Sequence, residues 1–384
     1  MSDSRQKNKE IELYIHIPFC VKKCDYCDFL SGPWRVQTRQ EYVQALIREI
    51  QSLGERYKSQ FVQVRSIFLG GGTPSLLTGT EIAEVMDMLF GNFSVNQSAE
   101  ISMEANPGTL SEKKLRDYQK AGINRLSLGC QSVKDRELQA LGRVHTAAEF
   151  FESYDMARAA GFENLNVDLM SAIPGQQTED WEENLRAVAK LEPEHISAYS
   201  LIVEEGTPFA QRQLDLPDEE SERAMYEMTG AVLAEYGYHQ YEISNYAKAG
   251  RECLHNIGYW QRVSYLGMGL GASSLLGKEL RYRNTDYMEE YLRDSGRPEK
   301  IRREEQRLTE QEQMEEFMFL GLRMTQGVSE KDFEGNFGYP VDEIYGKVIK
   351  KHQKLGLLER KNGRIWLTRQ GINLSNQVFV DFIL

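Results

Sequence analysis

Three cysteines near the start of the chain are the residues whose spacing most directly indicates chemistry. Cys20, Cys24 and Cys27 form a C-x3-C-x2-C pattern and are three of only five cysteines in 384 residues. Thiolates at this spacing can wrap a compact metal centre, because cysteine is the usual protein ligand of iron–sulfur clusters. A cubane cluster normally takes four thiolates, so three leave one iron open to an exogenous molecule. The pattern favours a [4Fe-4S] cluster with one open coordination position.

Two alternatives stay open at this point. Structural zinc is normally bound by four Cys or His side chains, and His16 would supply the fourth ligand. The three thiols could also be unrelated to one another. The cysteines are few, odd in number and clustered, which indicates a reducing compartment rather than a disulfide framework.

The cysteine loop needs a rigid base, and the flanking sequence predicts one. Residues 12–17 are β-branched and aromatic, which predicts a short buried strand that Pro18 ends. Five further strands, alternating with helices, are predicted near residues 66–69, 100–104, 124–128, 164–170 and 195–201. Such alternation predicts a parallel sheet built from βαβ units, that is, an α/β barrel or partial barrel.

Notable polar residues fall where these predicted strands end. Gly71, Glu104, Gln131 and Asp168 each lie at or just after a strand, as Cys20 does. The active face of a parallel barrel is built from the loops at the carboxyl ends of its strands. The sequence therefore predicts that these residues share one face with the cysteines.

Three glycines, residues 70–72, followed by Thr73, come after the second predicted strand. Glycine lets backbone amides approach a ligand without interference from a Cβ atom. Alone the run is a weak signal that a tight turn between strand and helix would equally explain, and it matches neither a Walker loop nor a dinucleotide fingerprint.

The totals exclude several classes of protein. Hydrophobic residues make up 41% and charged residues 27% of the chain, as in ordinary soluble domains. The net charge of −12 disfavours nonspecific nucleic-acid binding. The first ten residues lack the hydrophobic region of a signal peptide, and no apolar run approaches the roughly 20 residues of a membrane helix. We expect a cytoplasmic protein.

The last part of the chain predicts a second unit. A helix over 314–322 and a hairpin over 357–367 with Asn362-Gly363 at its turn are typical of a winged-helix module. The predicted organisation is a polar tail over 1–10, a barrel over 11–240, an extension and linker over 241–308 and this module over 309–384. From residue 309 the chain has ten basic and eleven acidic residues, so DNA binding by the module is disfavoured.

The cysteine motif, with the aromatic Tyr26 just before its third cysteine, resembles the signature of the radical S-adenosylmethionine (SAM) superfamily. The resemblance implies a partial (β/α)6 radical-SAM barrel whose open iron chelates the amine and carboxylate of SAM. Electron transfer from the cluster then cleaves SAM to a 5′-deoxyadenosyl radical. It also implies that Gly71, Gly72 and Thr73 bind the methionine end of SAM.

A wider resemblance covers nearly the whole chain. Several residues stand in the order and setting found in the oxygen-independent coproporphyrinogen III oxidases and their relatives. The resemblance implies that five of them hold SAM: Tyr14, Glu104, Gln131, Arg143 and Asp168. The chemistry suits these roles, because an arginine pairs bidentately with a carboxylate while carboxylates and an amide take hydroxyl and amino groups.

Two features of the sequence resemble those of one branch of that family, the HemW heme chaperones. Phe29 stands where the decarboxylating oxidases have a fourth cysteine, and residues 255–260 form an H-N-x-x-Y-W motif. The resemblance implies that His255 ligates heme, with Cys253 as a second candidate, and that Tyr259 and Trp260 pack against the porphyrin. The alternative is a buried, hydrogen-bonded histidine among core aromatics.

The resemblance favours a heme chaperone whose cofactors are a [4Fe-4S] cluster, SAM and heme. It implies acceptor hemoproteins such as respiratory cytochromes and an electron donor for the cluster as partners. Transient membrane association and a homodimer stay open, as does enzymatic activity, and no nucleic acid is expected. The first alternative function is oxidative decarboxylation of coproporphyrinogen III in porphyrin metabolism, and the second is a winged-helix regulatory or DNA-binding protein.

Overall fold

A computed structural model describes residues 10–57 and 63–384, and its largest element is a twelve-stranded sheet. The predicted polar tail over 1–10 lies outside the described residues, except for Glu10, which begins the first strand.

Six parallel strands form the centre of this sheet in chain order, so the predicted α/β class and partial barrel are confirmed. They are β1 (Glu10–Ile17), β2 (Gln63–Gly71), β3 (Val95–Ala105), β4 (Arg125–Gln131), β5 (Leu165–Ser171) and β6 (His195–Ser200). Each pairs in parallel with the next along the chain. Their carboxyl ends therefore lie at one edge, where the loops that follow them meet.

Seven helices accompany these strands and cover the apolar side chains of the sheet. They are α1 (Val36–Tyr57), α2 (Gly79–Asn92), α3 (Glu112–Lys120), α4 (Asp135–Ala140), α5 (Ala147–Ala159), α6 (Thr178–Ala189) and α7 (Glu219–Glu235). α1 buries Val43, Leu46, Ile50 and Leu53, the stripe that its helical periodicity predicts.

The region after α7 extends the sheet on both sides. Its elements are β7 (His239–Glu242), β8 (Asn245–Ala247), α8 (Leu254–Trp260), β9 (Tyr265–Met268), β10 (Ser273–Leu276), β11 (Leu280–Asn284), α9 (Met288–Asp294), α10 (Pro298–Ile301) and β12 (Arg302–Arg307). β8 and β7 continue the sheet beyond β6, whereas β9 lies parallel to β1 on the opposite side and leads to β10–β12.

Within the segment predicted as extension and linker, 241–308, the charged stretch 295–308 is not an irregular linker. These residues form α10 and β12, and β12 is an edge strand paired antiparallel with β11. The strand was not recognised from the sequence because an exposed edge strand can be charged along its whole length, as a linker is. Nearly every side chain of β12 is charged, and none is fully buried.

A buried carboxylate on α1 ties this extension to the barrel. Glu49 accepts hydrogen bonds from Gly269 N (2.8 Å), Asn284 Nδ2 (2.6 Å) and the Tyr291 hydroxyl (2.6 Å). Burial raises the pKa of Glu49 to about 7 against the lowering effect of these donors. The extension is therefore a packed part of the barrel unit.

The remaining residues form a small domain with its own apolar core. Its elements are α11 (Glu310–Gly321), β13 (Val328–Ser329), α12 (Glu330–Phe337), α13 (Val341–Lys354), β14 (Leu358–Lys361), β15 (Arg364–Leu367), α14 (Arg369–Asn373) and α15 (Ser375–Val380). The predicted hairpin is present, and Asn362 and Gly363 both have positive φ angles, as its tight turn requires. The first three of its five helices, α11–α13, together with the three-stranded antiparallel sheet form the winged-helix-like arrangement expected.

Helices long and apolar enough to span a bilayer do not occur among residues 10–57 and 63–384.

Candidate functional site

The main cavity lies at the carboxyl ends of the parallel strands and encloses about 500 Å³. We call it the cysteine cavity, because the loop between β1 and α1 forms part of its wall. Ten residues singled out from the sequence line it: Cys20, Cys24, Tyr26, Cys27, Gly71, Gly72, Glu104, Gln131, Arg143 and Asp168. Parallel topology thus brings residues from five strand ends to one place.

The cysteine loop is pinned at its base and near its middle. Cys20 N donates to Gly32 O (2.9 Å), and Gly32 N donates to Pro18 O (3.0 Å), so the loop closes on itself. Asp25 N donates to Leu141 O (3.2 Å), which holds the middle of the loop against the end of α4. The positions of the three cysteines are therefore set by backbone hydrogen bonds.

Two side chains from other elements reach the thiols. The Thr73 hydroxyl lies 3.7 Å from Cys20 Sγ, and Arg143 Nη1 lies 3.6 Å from Cys24 Sγ. Donors and a positive charge stabilise a thiolate, which is the form that ligates metal. Burial raises the pKa of the Cys27 thiol.

The donor set fits a cluster better than a single metal ion. Among the described residues, no group of three or more His, Cys, Asp and Glu side chains converges closely enough to hold one ion. A cubane cluster needs no such convergence, because each thiolate binds a different iron. His16, the candidate fourth zinc ligand, has its ring nitrogens bonded to the Tyr14 hydroxyl (3.0 Å) and to Leu30 O (2.9 Å). The structure therefore gives no support to the zinc alternative.

The glycine segment passes directly behind the cysteine loop. Gly72 N donates to Ile17 O (2.8 Å) and Thr73 N to Phe19 O (2.7 Å). A Cβ atom at position 72 would lie 2.7 Å from Phe19 O, so the close approach requires glycine. Gly71 N is also bonded, to Glu104 Oε2 (2.9 Å). The amides of residues 71–73 are thus engaged inside the protein, and close packing is the role visible for these residues.

The Arg143 guanidinium is held by hydrogen bonds that leave its Nε donor without a partner among the described residues. Its Nη2 donates to Asn106 Oδ1 (2.7 Å) and to Gly129 O (2.8 Å). Its buried Nε has no hydrogen-bond partner among the described residues. A buried guanidinium donor without a partner is costly, and a ligand carboxylate would satisfy it. This geometry fits the carboxylate of SAM.

Two buried carboxyl groups, those of Glu104 and Asp168, form an acidic part of the wall of the cysteine cavity. Burial, followed by the charge of Asp168, raises the pKa of Glu104 to about 7. Burial also raises the pKa of Asp168, although Asn166 Nδ2 (2.7 Å) and the Ser127 hydroxyl (3.1 Å) donate to its carboxylate. The wall can accept hydrogen bonds from hydroxyl and amino groups of a cationic ligand.

Gln131 sits on strained backbone at the end of β4. Its φ angle is +66°, which is unusual for a residue other than glycine. The Tyr199 hydroxyl donates to its side-chain oxygen at 2.9 Å. The side-chain amide is thereby held in the cavity wall with its nitrogen available as a donor.

A second cavity of about 330 Å³ adjoins the first, and we call it the tyrosine cavity. Phe29, Gly71 and Glu104 line both cavities. Its other lining residues are Tyr14, His16, Leu30, Tyr259, Tyr265, Gly271, Ala272 and Ser273. Tyr14, predicted from the resemblance as a SAM residue, therefore faces this second space.

The structure places His255 away from both cavities. The side chain is 1% exposed, with Nδ1 2.9 Å from the Ser66 hydroxyl and Nε2 3.0 Å from the Tyr259 hydroxyl. Burial, followed by the charges of two arginines, lowers its pKa to about 3. This is the buried, hydrogen-bonded histidine that the sequence left as the alternative to a heme ligand.

Other residues of that stretch differ in accessibility. Cys253 is fully buried, its thiol lies 3.3 Å from Glu100 Oε1, and burial raises its pKa to about 12. Trp260 packs beneath the Arg323 guanidinium, with 4.4 Å between the guanidinium carbon and the ring centroid. Of the four predicted heme residues, Tyr259 lines the tyrosine cavity, and the other three line neither the cysteine cavity nor the tyrosine cavity.

Several lining residues were missed from the sequence. Asn106, Ser127, Asn166 and Tyr199 line the cysteine cavity and hold the residues that were predicted. Their positions on or just after β3–β6 were the available signal, but polar residues there are common and carry no motif. Tyr265 and residues 271–273 had no signal, because their strands were not predicted.

Comparisons with known proteins agree with this geometry. The chain matches the radical SAM superfamily over residues 14–188 and the HemN C-terminal domain over residues 308–374. The radical SAM domain implies a [4Fe-4S] cluster and SAM. The solved structure of coproporphyrinogen III oxidase (HemN) from Escherichia coli superposes with a TM-score of 0.86 at 24% identity, covering 99% of this chain and 91% of that one. At this identity the similarity shows a shared fold.

Curated relatives are similar along their whole length. The chain is 40% identical over 380 residues to the heme chaperone HemW of Bacillus subtilis, covering 96% of this chain and 98% of that protein. It is 36% identical to the protein of the same name from Lactococcus lactis, covering 97% of each. The corresponding protein of Haemophilus influenzae is 35% identical over 97% of this chain and 98% of its own.

Proposed function

Because this chain belongs to the HemW family of radical-SAM proteins, we propose that it binds heme and delivers it to acceptor hemoproteins. The observation that carries the proposal is the pair of adjoining cavities. The cysteine cavity is lined by the cysteine loop, and the tyrosine cavity is lined by Tyr259 of the H-N-x-x-Y-W stretch. A carrier of heme needs a second ligand space beside its cofactor site, and the tyrosine cavity offers one.

Cys20, Cys24 and Cys27 are the proposed cluster ligands. When bound, the cluster supplies an open iron for SAM and an electron for its cleavage. Arg143 keeps its positive charge beside Cys24 and offers Nε to the carboxylate of SAM. Glu104, Asp168 and Gln131 accept or donate hydrogen bonds to the hydroxyl and amino groups of SAM.

Tyr14, Gly71, Gly72, Thr73 and Tyr26 complete the proposed SAM site, but by support rather than by free polar groups. Tyr26 packs beside Phe209 under the cysteine loop, with ring centroids 6.5 Å apart. The glycines let the second strand end directly behind that loop. Tyr26, the glycines and Thr73 thus support the loop that carries the thiols, whereas Tyr14 faces the adjoining tyrosine cavity.

The proposed partners are heme, acceptor hemoproteins such as respiratory cytochromes and an electron donor for the cluster. Phe29 weighs against the oxidase alternative. It replaces the fourth cysteine of those enzymes, is 59% exposed and stands between the two cavities. An apolar side chain there offers neither a thiol nor a charge to a substrate.

One anaerobic experiment tests the proposal. Protein with a reconstituted cluster, SAM and an electron donor is given coproporphyrinogen III, and carbon dioxide from its propionates is measured. The same protein is loaded with heme and mixed with an apo-hemoprotein, and transfer is followed by absorbance. The variant with all three cysteines changed to serine is the control that lacks the cluster.

We expect heme binding and transfer without carbon dioxide. Release of carbon dioxide with protoporphyrinogen formation would support the oxidase instead. Failure to bind heme, in protein whose iron and labile sulfide are intact, would refute the chaperone function.

A further inference from the structure

Asn106 lies in the middle of a chain of hydrogen bonds that joins two of the three cysteine thiols. It follows β3 directly and lines the cysteine cavity. Its side-chain Nδ2 donates to Thr73 Oγ1 (2.8 Å), and its Oδ1 accepts from Arg143 Nη2 (2.7 Å). Thr73 and Arg143 are the two side chains that reach Cys20 Sγ and Cys24 Sγ. One amide therefore connects the hydrogen-bond partners of both thiols.

The donors and acceptors of this chain run in one direction. Arginine has only donors, so the oxygen of the Asn106 amide must face Arg143 and its nitrogen must face Thr73. The Thr73 oxygen then accepts from Asn106, and its single proton is left for Cys20 Sγ. Hydrogen bonds in such a chain polarise one another, so the guanidinium charge strengthens the contact of Thr73 with the sulfur. An ionised aspartate at position 106 would have no N–H for Thr73.

The Asn106 amide is fixed by contacts that do not involve the cysteines. Its backbone nitrogen donates to Ser75 Oγ (3.2 Å), and its backbone oxygen accepts from Thr109 Oγ1 (2.7 Å). A Cβ atom at position 129 would lie 2.7 Å from Asn106 Oδ1, so this oxygen packs closely against Gly129. The amide is therefore held in place before any metal centre binds, and it can hold Thr73 and Arg143 in turn.

We propose that Asn106 is a positioning residue for the iron–sulfur cluster and that it acts through Thr73 and Arg143 to raise the reduction potential of the cluster. This inference goes beyond the proposed function, because it rests on the cluster that the radical SAM domain implies and not on heme. Hydrogen bonds to the sulfurs and net charge set the potential of such clusters. Reduction adds a negative charge, which donors and a positive charge beside the thiolates stabilise. Loss of Asn106 therefore makes the cluster harder to reduce.

The test is an anaerobic redox titration of the full-length, cluster-loaded protein without SAM or heme. Dithionite supplies the electron, electron paramagnetic resonance spectroscopy follows the reduced cluster, and iron and labile sulfide are measured in every sample. We expect Asn106→Ala and Thr73→Val each to lower the equilibrium constant for reduction about tenfold, which is about 59 mV for a one-electron couple. Thr73→Ser keeps the hydroxyl and should retain the wild-type potential.

Asn124→Ala is the matched control for a merely structural effect. The Asn124 amide also joins two groups, because its Oδ1 accepts from Ile101 N and its Nδ2 donates to Ala99 O, both at 2.8 Å. It precedes β4 directly, at the end of that strand opposite to the cysteine loop. Asn124→Ala should therefore leave the potential of the cluster unchanged. A shift equal to that of Asn106→Ala would show that general loosening of the barrel is the cause, and would overturn the inference.

The double variant tests whether Asn106 acts through Thr73. Thr73→Val should shift the potential less in the Asn106→Ala background than in wild type, because Asn106 directs the Thr73 proton to the sulfur. Equal shifts in both backgrounds, or a wild-type potential in Asn106→Ala with intact iron and sulfide, would overturn the inference. If Asn106→Ala retains no cluster, a wild-type potential in Thr73→Val, which keeps the side-chain shape, would overturn it. Failure to bind heme would refute the proposed function and leave this inference intact.

Discussion

At the residue scale, Glu104 is a buried carboxyl group that lines both the cysteine cavity and the tyrosine cavity. Its carboxylate lines both spaces and accepts from Gly71 N on the neighbouring strand. Burial and the charge of Asp168 raise the pKa of Glu104 to about 7. Its charge therefore changes in the neutral pH range, in which proteins are usually studied. Below that pH the carboxyl group is neutral, and above it the group is an anion.

We predict that SAM affinity depends on pH through Glu104. SAM carries a positively charged sulfonium group, so the ionised carboxylate favours it. If only the ionised form binds, lowering the pH from 8 to 6 should raise the Kd about tenfold, since the binding-competent fraction falls by that factor. Calorimetry on anaerobic, cluster-loaded protein would measure this.

Two variants make the test specific. Glu104→Gln should bind weakly and almost independently of pH. Glu204→Gln, which removes an exposed carboxylate lining the same cavity, should behave as wild type. Equal pH dependence in wild type and Glu104→Gln would show that another group is responsible.

Strand position explains why many site residues could be predicted. The ends of parallel strands converge by topology, so Glu104, Gln131 and Asp168 could be grouped with the cysteines without coordinates. Family resemblance added Arg143, which lies on no strand. The burial of His255 could not be foreseen, because the residues that enclose it, Ser66 and Phe68, are on a strand almost 190 positions earlier.

At the element scale, α8 is a short helix seated against the first two strands. Gly258 lies on the face of α8 that meets Glu12 on β1. Glu12 is completely buried and is held by Arg65 Nε at 3.2 Å. The helix can approach this ion pair because position 258 has no side chain.

We predict that Gly258→Ala displaces α8. The added Cβ would overlap the Glu12 carboxylate, which has little room to move. Overpacking of this kind costs roughly 1–3 kcal/mol of unfolding free energy, measurable by urea denaturation.

Gly230→Ala on α7 is the matched control. A Cβ atom there would meet its nearest neighbour, Tyr246, at 3.9 Å, which is ordinary contact. That substitution should be neutral or stabilise by up to about 1 kcal/mol, since alanine is the better helix former. A Gly258→Ala protein as stable as Gly230→Ala would contradict the close contact described for α8.

The alternating strands and helices of the barrel were readable because apolar periodicity is strong in buried elements. The short strands of the extension could not be predicted in this way. β9 has four residues and β10 four, and β12 is almost entirely charged. Short strands that depend on a neighbouring sheet carry little periodicity of their own. The tyrosine cavity, which these strands partly form, was therefore invisible in the sequence.

At the scale of the whole molecule, the C-terminal domain is fastened to the barrel unit by a buried ion pair. Arg262, 3% exposed, pairs with Glu316 on α11 at 2.9 Å, and Arg281 reaches the same carboxylate at 2.7 Å. Thr325 N also donates to Tyr241 O at 3.0 Å. The domain is thus docked through specific polar contacts next to α8.

We predict that Glu316→Ala is strongly destabilising. It leaves the buried Arg262 guanidinium without its carboxylate, and loss of one partner of a buried pair costs about 3–5 kcal/mol. Urea unfolding of the full chain would measure the change in free energy.

Glu279→Ala serves as the comparison, since its ion pair with Arg307 is largely exposed. It should change the unfolding free energy by less than about 1 kcal/mol. Replacing the buried pair together, as Arg262→Met with Glu316→Leu, should recover much of the loss. If Glu316→Ala costs no more than Glu279→Ala, the pair does not fasten the domain.

The strand order has a consequence for how the chain is made. β1, which carries the cysteine loop, has β2 on one side and β9, some 250 residues later, on the other. A nascent chain therefore emerges from the ribosome with one side of β1 unpaired until residues 265–268 have been synthesised. During that interval the cysteine loop stands beside an open strand edge, which is prone to aggregation. Most of the protein must be translated before its first strand acquires both neighbours, so the strand edge beside the cysteine loop is closed only by synthesis of the distant extension.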